Sequence, residues 1–172
     1  MTELRTDRLT LRRARAGDLN DMHEVLRDEV AMRYWSCAPH QTLAETEEWL
    51  RSMMKSPPEL SEDFVLVADG RVIGKIGAWR LPEFGFILRR DCWGRGYASE
   101  AMRAFLPHVF ARGDVPFLLA DVDPRNHASL ALLARFAFRE THRGKATWHT
   151  HIGVCDSIYL RLDRDDCPLK RS

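Results

Sequence analysis

The sequence predicts one α/β (α+β) domain over residues 1–172, whose sheet is antiparallel in its first half and gains a strand–helix–strand crossover in the middle. Three observations carry this expectation. Apolar runs at 64–68 and 72–79 flank Asp69-Gly70, a pair that favours the tight turn of a β-hairpin. Thr42 followed by Glu45 makes a capping box ahead of apolar residues at helical spacing. An apolar strand at 84–88 passes through a basic, glycine-bearing loop into a long amphipathic pattern, Ala98, Ala101, Met102, Phe105, Leu106, Val109 and Phe110.

The remaining elements follow in chain order. Leu9-Thr10-Leu11 reads as a short strand, and Gly17-Asp18 opens a helix bearing Leu19, Met22, Val25 and Leu26, with Asp18 as its cap. The capping-box helix buries a stripe of Leu43, Trp49, Leu50, Met53 and Met54, and Ser56-Pro57-Pro58 stops it because proline cannot continue a helix. Pro107 should kink or shorten the later amphipathic helix. Residues 117–122 read as a buried strand, and Asn126 caps a helix carrying Leu130, Leu132, Leu133 and Phe136. Two more strands are expected near 148–154 and 157–162.

Composition excludes several classes. With 45% hydrophobic and 30% charged residues in 172, the chain fills a core, unlike a disordered tail or a collagen-like fibre. Its 26 basic against 25 acidic residues leave a net charge of +1, which argues against a DNA partner held by bulk phosphate neutralisation. Cys37, Cys92, Cys155 and Cys167 form no metal or disulfide pattern, no secretory leader is apparent, and no apolar run reaches the ~18 residues of a membrane span. The expectation is a cytoplasmic protein without a membrane partner. His149 and His151 share a strand face but have no third ligand nearby, so no metal is expected.

The chemistry lies in the glycine loop. Glycines bring backbone N–H groups close to a ligand, and the helix start that follows leaves its first N–H groups unpaired, which together suit a phosphate. Arg89, Arg90 and Arg95 against Asp91 add local positive charge. A dinucleotide loop fits poorly, because Ser99 stands where a third glycine is required and residues 89–93 separate the strand from Gly94. A P-loop fails, since no Gly-Lys-Ser/Thr follows. A glycine turn with solvated charges remains the plain alternative.

Trp93-Gly94-Arg95-Gly96-Tyr97-Ala98-Ser99-Glu100-Ala101 resembles the acetyl-CoA loop and helix of the GCN5-related N-acetyltransferases (GNAT), in the branch of the ribosomal-protein N-terminal acetyltransferases. Trp93 stands where the superfamily has Gln or Arg, a form typical of that branch. Asp123-Pro124-Arg125-Asn126-His127-Ala128-Ser129, Phe136-Ala137-Phe138, Glu83-Phe84-Gly85-Phe86 and Asp156-Ser157-x-Tyr159 extend the likeness along the chain, with Ala137 replacing a usual glycine.

The resemblance implies a single GNAT-type domain: a mixed, mostly antiparallel sheet with a V-shaped splay between central strands, flanked by about four helices. It implies acetyl-CoA as co-substrate, its pantetheine along Phe86, Ile87 and Leu88 and its pyrophosphate on the N–H groups of residues 94–99. Arg89, Trp93, Gly94, Arg95, Gly96, Tyr97, Ala98, Ser99, Asn126 and Ser129 form the cofactor set. Glu83 is the candidate base, ahead of Asp121 and His151. Leu133 occupies the position of the superfamily's usual tyrosine acid, so Ser129 is the candidate donor to the leaving thiolate, unless Asn126 and Ser129 only cap their helix. Trp35 and Trp49, placed in the two early helices, and Trp79 are core or cleft wall. The implied acceptor is a small amine or a protein N-terminus, and the chain is compatible with a homodimer. The alternative is a non-catalytic acyl-CoA-binding module.

Overall fold

Phe64, Leu66 and Ala68 alternate with Val65 and Val67 along one strand, and the two sets enter different cores. A sheet covered on both faces reads as a continuous apolar run, which is why this strand shows no polar alternation. The structure, a computed structural model, describes residues 2–169. Its strands are β1 (Glu3–Arg5), β2 (Thr10–Arg12), β3 (Glu62–Ala68), β4 (Arg71–Arg80), β5 (Glu83–Leu88), β6 (Phe117–Val122), β7 (Arg139–Thr150) and β8 (Gly153–Asp163). They form one sheet in the order β1-β2-β3-β4-β5-β6-β8-β7. Among the described residues only β5 and β6 pair in parallel, as the expected crossover requires. The helices are α1 (Leu19–Leu26), α2 (Leu43–Lys55), α3 (Tyr97–Phe110) and α4 (His127–Arg135). This is the mixed, mostly antiparallel α+β class that the sequence predicts.

One face carries α3 and α4, and Met102, Phe105 and Leu106 of α3 are fully buried there. Each such side chain contributes about 1.5–3 kcal/mol of transfer free energy. The other face carries α1 and α2 through Met22, Val25, Leu26 and Leu50. Carboxylates fix α3 at both ends. Glu100, in its first turn, accepts from Thr6 Oγ1 at 2.5 Å, the Arg8 N–H at 2.8 Å and Arg8 Nε at 2.7 Å. Glu62 of β3 accepts from Arg112 at 2.8 Å and His108 at 3.2 Å at the other end. Burial opposes ionisation of both carboxyls, but these donors outweigh it and hold their pKa values below the usual range.

Several expectations are corrected. Asp18 does not cap α1. It closes a short 3-10 turn, accepting from the Arg15 N–H and from the guanidinium of Arg12 at 2.7–2.8 Å. Leu43 and Met54 are exposed, because α1 has only eight residues, roughly 12 Å, and cannot cover both ends of a thirteen-residue helix. Thr46 takes the buried place, its hydroxyl between His23 and His40. Trp35 lies in the segment between the helices, not in one. α3 continues through Pro107 to Phe110. The late strand expected at 148–154 is the end of β7, which starts at Arg139, and Val154 belongs to β8. Nearly all of β7 is exposed, so no alternation marked it.

Ala137 shows why the family's motif prefers glycine. The Ala137 N–H donates to the Ala134 carbonyl at 3.0 Å and the Phe138 N–H to the Leu133 carbonyl at 3.1 Å, closing α4 in a Schellman motif with Ala137 at φ 65°. The turn is kept and the alanine is strained. Ala137→Gly should therefore stabilise the protein by about 1 kcal/mol and raise Tm by roughly 2–4 °C. An unchanged or lower Tm in a calorimetric scan would show that no strain is relieved.

Candidate active site

The Arg89 N–H donates to the Ile73 carbonyl at 2.8 Å, which sets the hydrogen-bonding parity of β5 against β4. The two-residue period of an antiparallel ladder then turns the main-chain groups of Gly85 and Ile87 toward β4, and those of Phe84, Phe86 and Leu88 away from it. On that far side β6 meets β5 at one rung, Glu83 with Leu119, beside a bond from the Leu119 N–H to the Pro82 carbonyl at 2.9 Å. Beyond this rung no pairing joins the two strands among the described residues. The main chain of Phe86 and Leu88 therefore faces the gap of a V, while the Ile87 side chain points into the α1–α2 core. Trp93 ties the next loop to this edge, its indole N–H donating to the Leu88 carbonyl at 2.9 Å and leaving the Leu88 N–H free for the gap.

The loop turns on Gly94 at φ 68° and Gly96 at φ 82°, both in the region that side chains avoid. No side chain caps α3, so the first-turn N–H groups of Tyr97, Ala98 and Ser99 point out of the helix unclaimed by a cap. The three arginines that the sequence points to are engaged: Arg89 with Asp91, Arg90 with Asp28, and Arg95 beside the Tyr97 ring. Two other arginines frame the helix start. Arg8 donates to the Arg95 carbonyl at 2.9 Å and lies over the Tyr97 ring, and Arg135 donates to the Ser99 hydroxyl at 3.2 Å. With Arg5 and Arg103 they line a recess of about 610 Å³. Nothing local to the loop marks Arg8 or Arg135, because they come from the β1–β2 turn and from the end of α4.

Asn126 caps α4, its Oδ1 accepting from the Ser129 N–H at 3.3 Å. The Ser129 hydroxyl has no partner among the described residues. A second cavity, about 580 Å³, opens at the vertex of the V between β4, β5, β6, the β7–β8 hairpin and the segment after α1. Trp35, Trp79, Glu83, Asp121, Trp148 and Tyr159 line it. Glu83 and Asp121 thus share one wall, whereas Asn126, Ser129 and His151 do not line this cavity. Trp49 packs against the α1–α2 core instead. Sequence reasoning missed Trp148 and Tyr159 as wall residues, although the alternation of β6, with Leu119 and Asp121 exposed between buried neighbours, is a signal for that face.

Residues 8–139 match the acetyltransferase (GNAT) domain family. The chain belongs to the GNAT acetyltransferase family. A relative described as an uncharacterized N-acetyltransferase p20, from Bacillus licheniformis, is 25% identical over 149 residues, 81% of this chain and 84% of that protein. The GNAT fold is shared with a ribosomal L7/L12 alpha-N-protein acetyltransferase solved with coenzyme A, at a TM-score of 0.85, 18% identity and coverage of 96% and 99%. It is shared as well with the microcin C7 self-immunity acetyltransferase solved with acetyl-CoA and AMP, at a TM-score of 0.81, 12% identity and coverage of 92% and 93%. Among the described residues no group of three His, Cys, Asp or Glu is placed to hold a metal ion, and no helix is long and apolar enough to cross a membrane.

Beneath the cavity of this GNAT domain lies a buried ion pair. Lys75 Nζ donates to Asp63 Oδ2 at 2.7 Å, and Asp63 Oδ1 has no partner among the described residues. Burial pushes the Asp63 carboxyl up, against the pull of Lys75. Removing one partner of such a pair leaves an uncompensated charge. Lys75→Met should lower unfolding free energy by about 3 kcal/mol, and adding Asp63→Leu should recover most of it, as chemical denaturation would read. Equal stability of the two variants would mean that the pair is not coupled.

Proposed function

We propose that the chain is an acetyl-CoA-dependent N-acetyltransferase, acting in the cytoplasm, that moves the acetyl group directly to a primary amine. The observation that carries this is the free edge of Phe86 and Leu88 running into the uncapped start of α3. An extended amide-bearing arm such as pantetheine can add to that edge as a strand would, with Ile87 holding the strand in register. The N–H groups of residues 94–99 then meet the pyrophosphate, with Arg8 and Arg135 beside them and Trp93 holding the loop in place. Arg95 adds charge at the rim, whereas Arg89 is paired with Asp91 and acts by holding the loop.

The transfer follows from these positions. The amine lone pair attacks the thioester carbonyl, a C–N bond forms, the C–S bond breaks, and the thiolate leaves. The Leu88 N–H stabilises the oxygen that gains charge, a donor worth about 3 kcal/mol. Glu83, at the vertex, takes the amine proton, directly or through water. Ser129 donates to the departing thiolate, and Asn126 holds the helix turn that presents it. An α-amino group, with a pKa near 8, reaches its neutral form more readily than a lysine near 10.4. The acceptor is accordingly a protein N-terminus or a small amine, the former being what the L7/L12 enzyme is described as acetylating.

Following free thiol while amines and N-terminal peptides are supplied tests this reading. Amine-dependent release supports the enzyme, and tight acetyl-CoA binding without release on any acceptor points to a non-catalytic module. Gly96→Val puts a branched side chain at a left-handed position beside the helix start and should weaken CoA binding at least tenfold in calorimetry, with circular dichroism unchanged. Ser129→Ala should lower kcat roughly tenfold or more while leaving CoA affinity near wild type. An unaltered rate would return Ser129 to a capping role alone.

A further inference from the structure

Glu83 pairs across the single β5–β6 rung with Leu119, and Asp121 follows two residues later on the same strand face. Strand geometry puts the two carboxylate-bearing Cα atoms roughly 8 Å apart along one wall. The charges of this wall divide sharply. Asp123 is paired with Arg125 at 2.6 Å, Asp156 with Lys145 at 2.7 Å, and Lys75, which also lines the cavity, with Asp63 at 2.7 Å. Glu83 and Asp121 form no ion pair among the described residues, although Arg80 stands across the β4–β5 register from Glu83 and His142 borders the same cavity. The cavity therefore keeps two unpaired carboxylates, one at its vertex and one a short way along β6.

A second, independent feature lies between them. Trp79 is 57% exposed, Trp148 48% and Leu119 37%, and all three border this one cavity. Large apolar surfaces left open together mark a place that another molecule covers. Trp148 does not hang free: its indole N–H donates to Asp121 Oδ2 at 2.7 Å, which fixes the ring beside the carboxylate. With the indole edge held at Oδ2, a cation placed over the ring face beside the carboxylate gains both ion pairing and attraction to the ring. The volume of about 580 Å³ is that of a small-molecule site, bounded on several sides by β6, the β7–β8 hairpin and the segment after α1.

Resting on the acetyltransferase reading above, we infer that the acceptor is a small amine that carries a second, permanent or protonated, positive centre and a flat apolar body between the two nitrogens. The reacting nitrogen sits at the vertex by Glu83. The second cation sits at Asp121 against Trp148, and the apolar body covers Trp79 and Leu119. The chemistry is the transfer described above: the new C–N bond forms at the first nitrogen, and the second nitrogen takes no part beyond binding.

The test compares benzylamine with the same amine bearing a para trimethylammoniomethyl group, which has one reactive nitrogen and a fixed positive charge. A peptide with a free N-terminal alanine runs alongside, with thiol release as the readout and CoA binding measured separately. The cationic amine should show a kcat/KM roughly three- to tenfold above benzylamine, the factor that one exposed ion pair and a cation–π contact supply together. Asp121→Asn keeps an acceptor for Trp148 and removes the charge, so it should bring the ratio of the two amines to near one, whereas Asp121→Glu should retain a preference. Equal efficiencies in the wild type, or an unchanged ratio in Asp121→Asn, overturn the inference. Peptide acetylation faster than that of either amine also overturns it, yet leaves the N-acetyltransferase standing. No amine-dependent release from any of the three, with CoA still bound, overturns both.

Discussion

The rung that β5 and β6 fail to repeat governs the rest of this molecule. A parallel pair inside a sheet would normally continue, because unpaired main-chain groups there cost free energy. Here the pairing ends at Glu83 and Leu119, and the candidate acceptor cavity and cofactor edge both border the opening. Its vertex carries Glu83, its β5 edge offers Phe86 and Leu88, and its floor leads to the start of α3. A ligand pairing with this edge, as proposed for pantetheine, would replace the missing strand and offset the cost of the gap.

A split sheet needs external support, and two devices supply it. The first is the pair of cores on opposite faces, which keep β3, β4 and β5 registered regardless of β6. The second is α3. Glu100 ties its first turn to the β1–β2 turn, and Glu62 ties its last turn to β3. With the axis anchored at both ends, the unclaimed N–H groups of Tyr97, Ala98 and Ser99 point to a fixed place. Gly94 and Gly96 complete the turn with left-handed geometry, so the loop's shape follows from backbone chemistry more than from its arginines.

Those arginines show where sequence reading reaches and where it stops. The Asp69-Gly70 hairpin, the capping box of α2 and the strand–loop–helix of the loop are local patterns, and each stands in the structure where the spacing put it. Arg8 and Arg135 reach the loop from 87 and 36 residues away respectively, and no window along the chain joins them to Gly96. The acceptor wall is legible only in part for a related reason. β6 alternates, and so reveals Leu119 and Asp121, but β7 is exposed almost throughout and carries no period, so Trp148 gives no local sign of its role. Ala137 is the reverse case: the motif predicts a glycine turn, and the turn persists against the preference of the residue that occupies it.

Capping and catalysis at Asn126 and Ser129 look like competing explanations, but the atoms they use differ. The cap consumes the Asn126 side-chain oxygen and the Ser129 backbone N–H. Neither contact engages the Ser129 hydroxyl, which has no partner among the described residues. The cap is compatible with the proposed donor role, since it fixes the backbone turn from which the hydroxyl projects and does not engage the hydroxyl itself. The Schellman closure at Ala137 secures the other end of the same nine-residue helix. With both ends of α4 fixed, the serine's reach is set by one side-chain torsion, and a single strained alanine is tolerated because the motif around it holds that end of the helix.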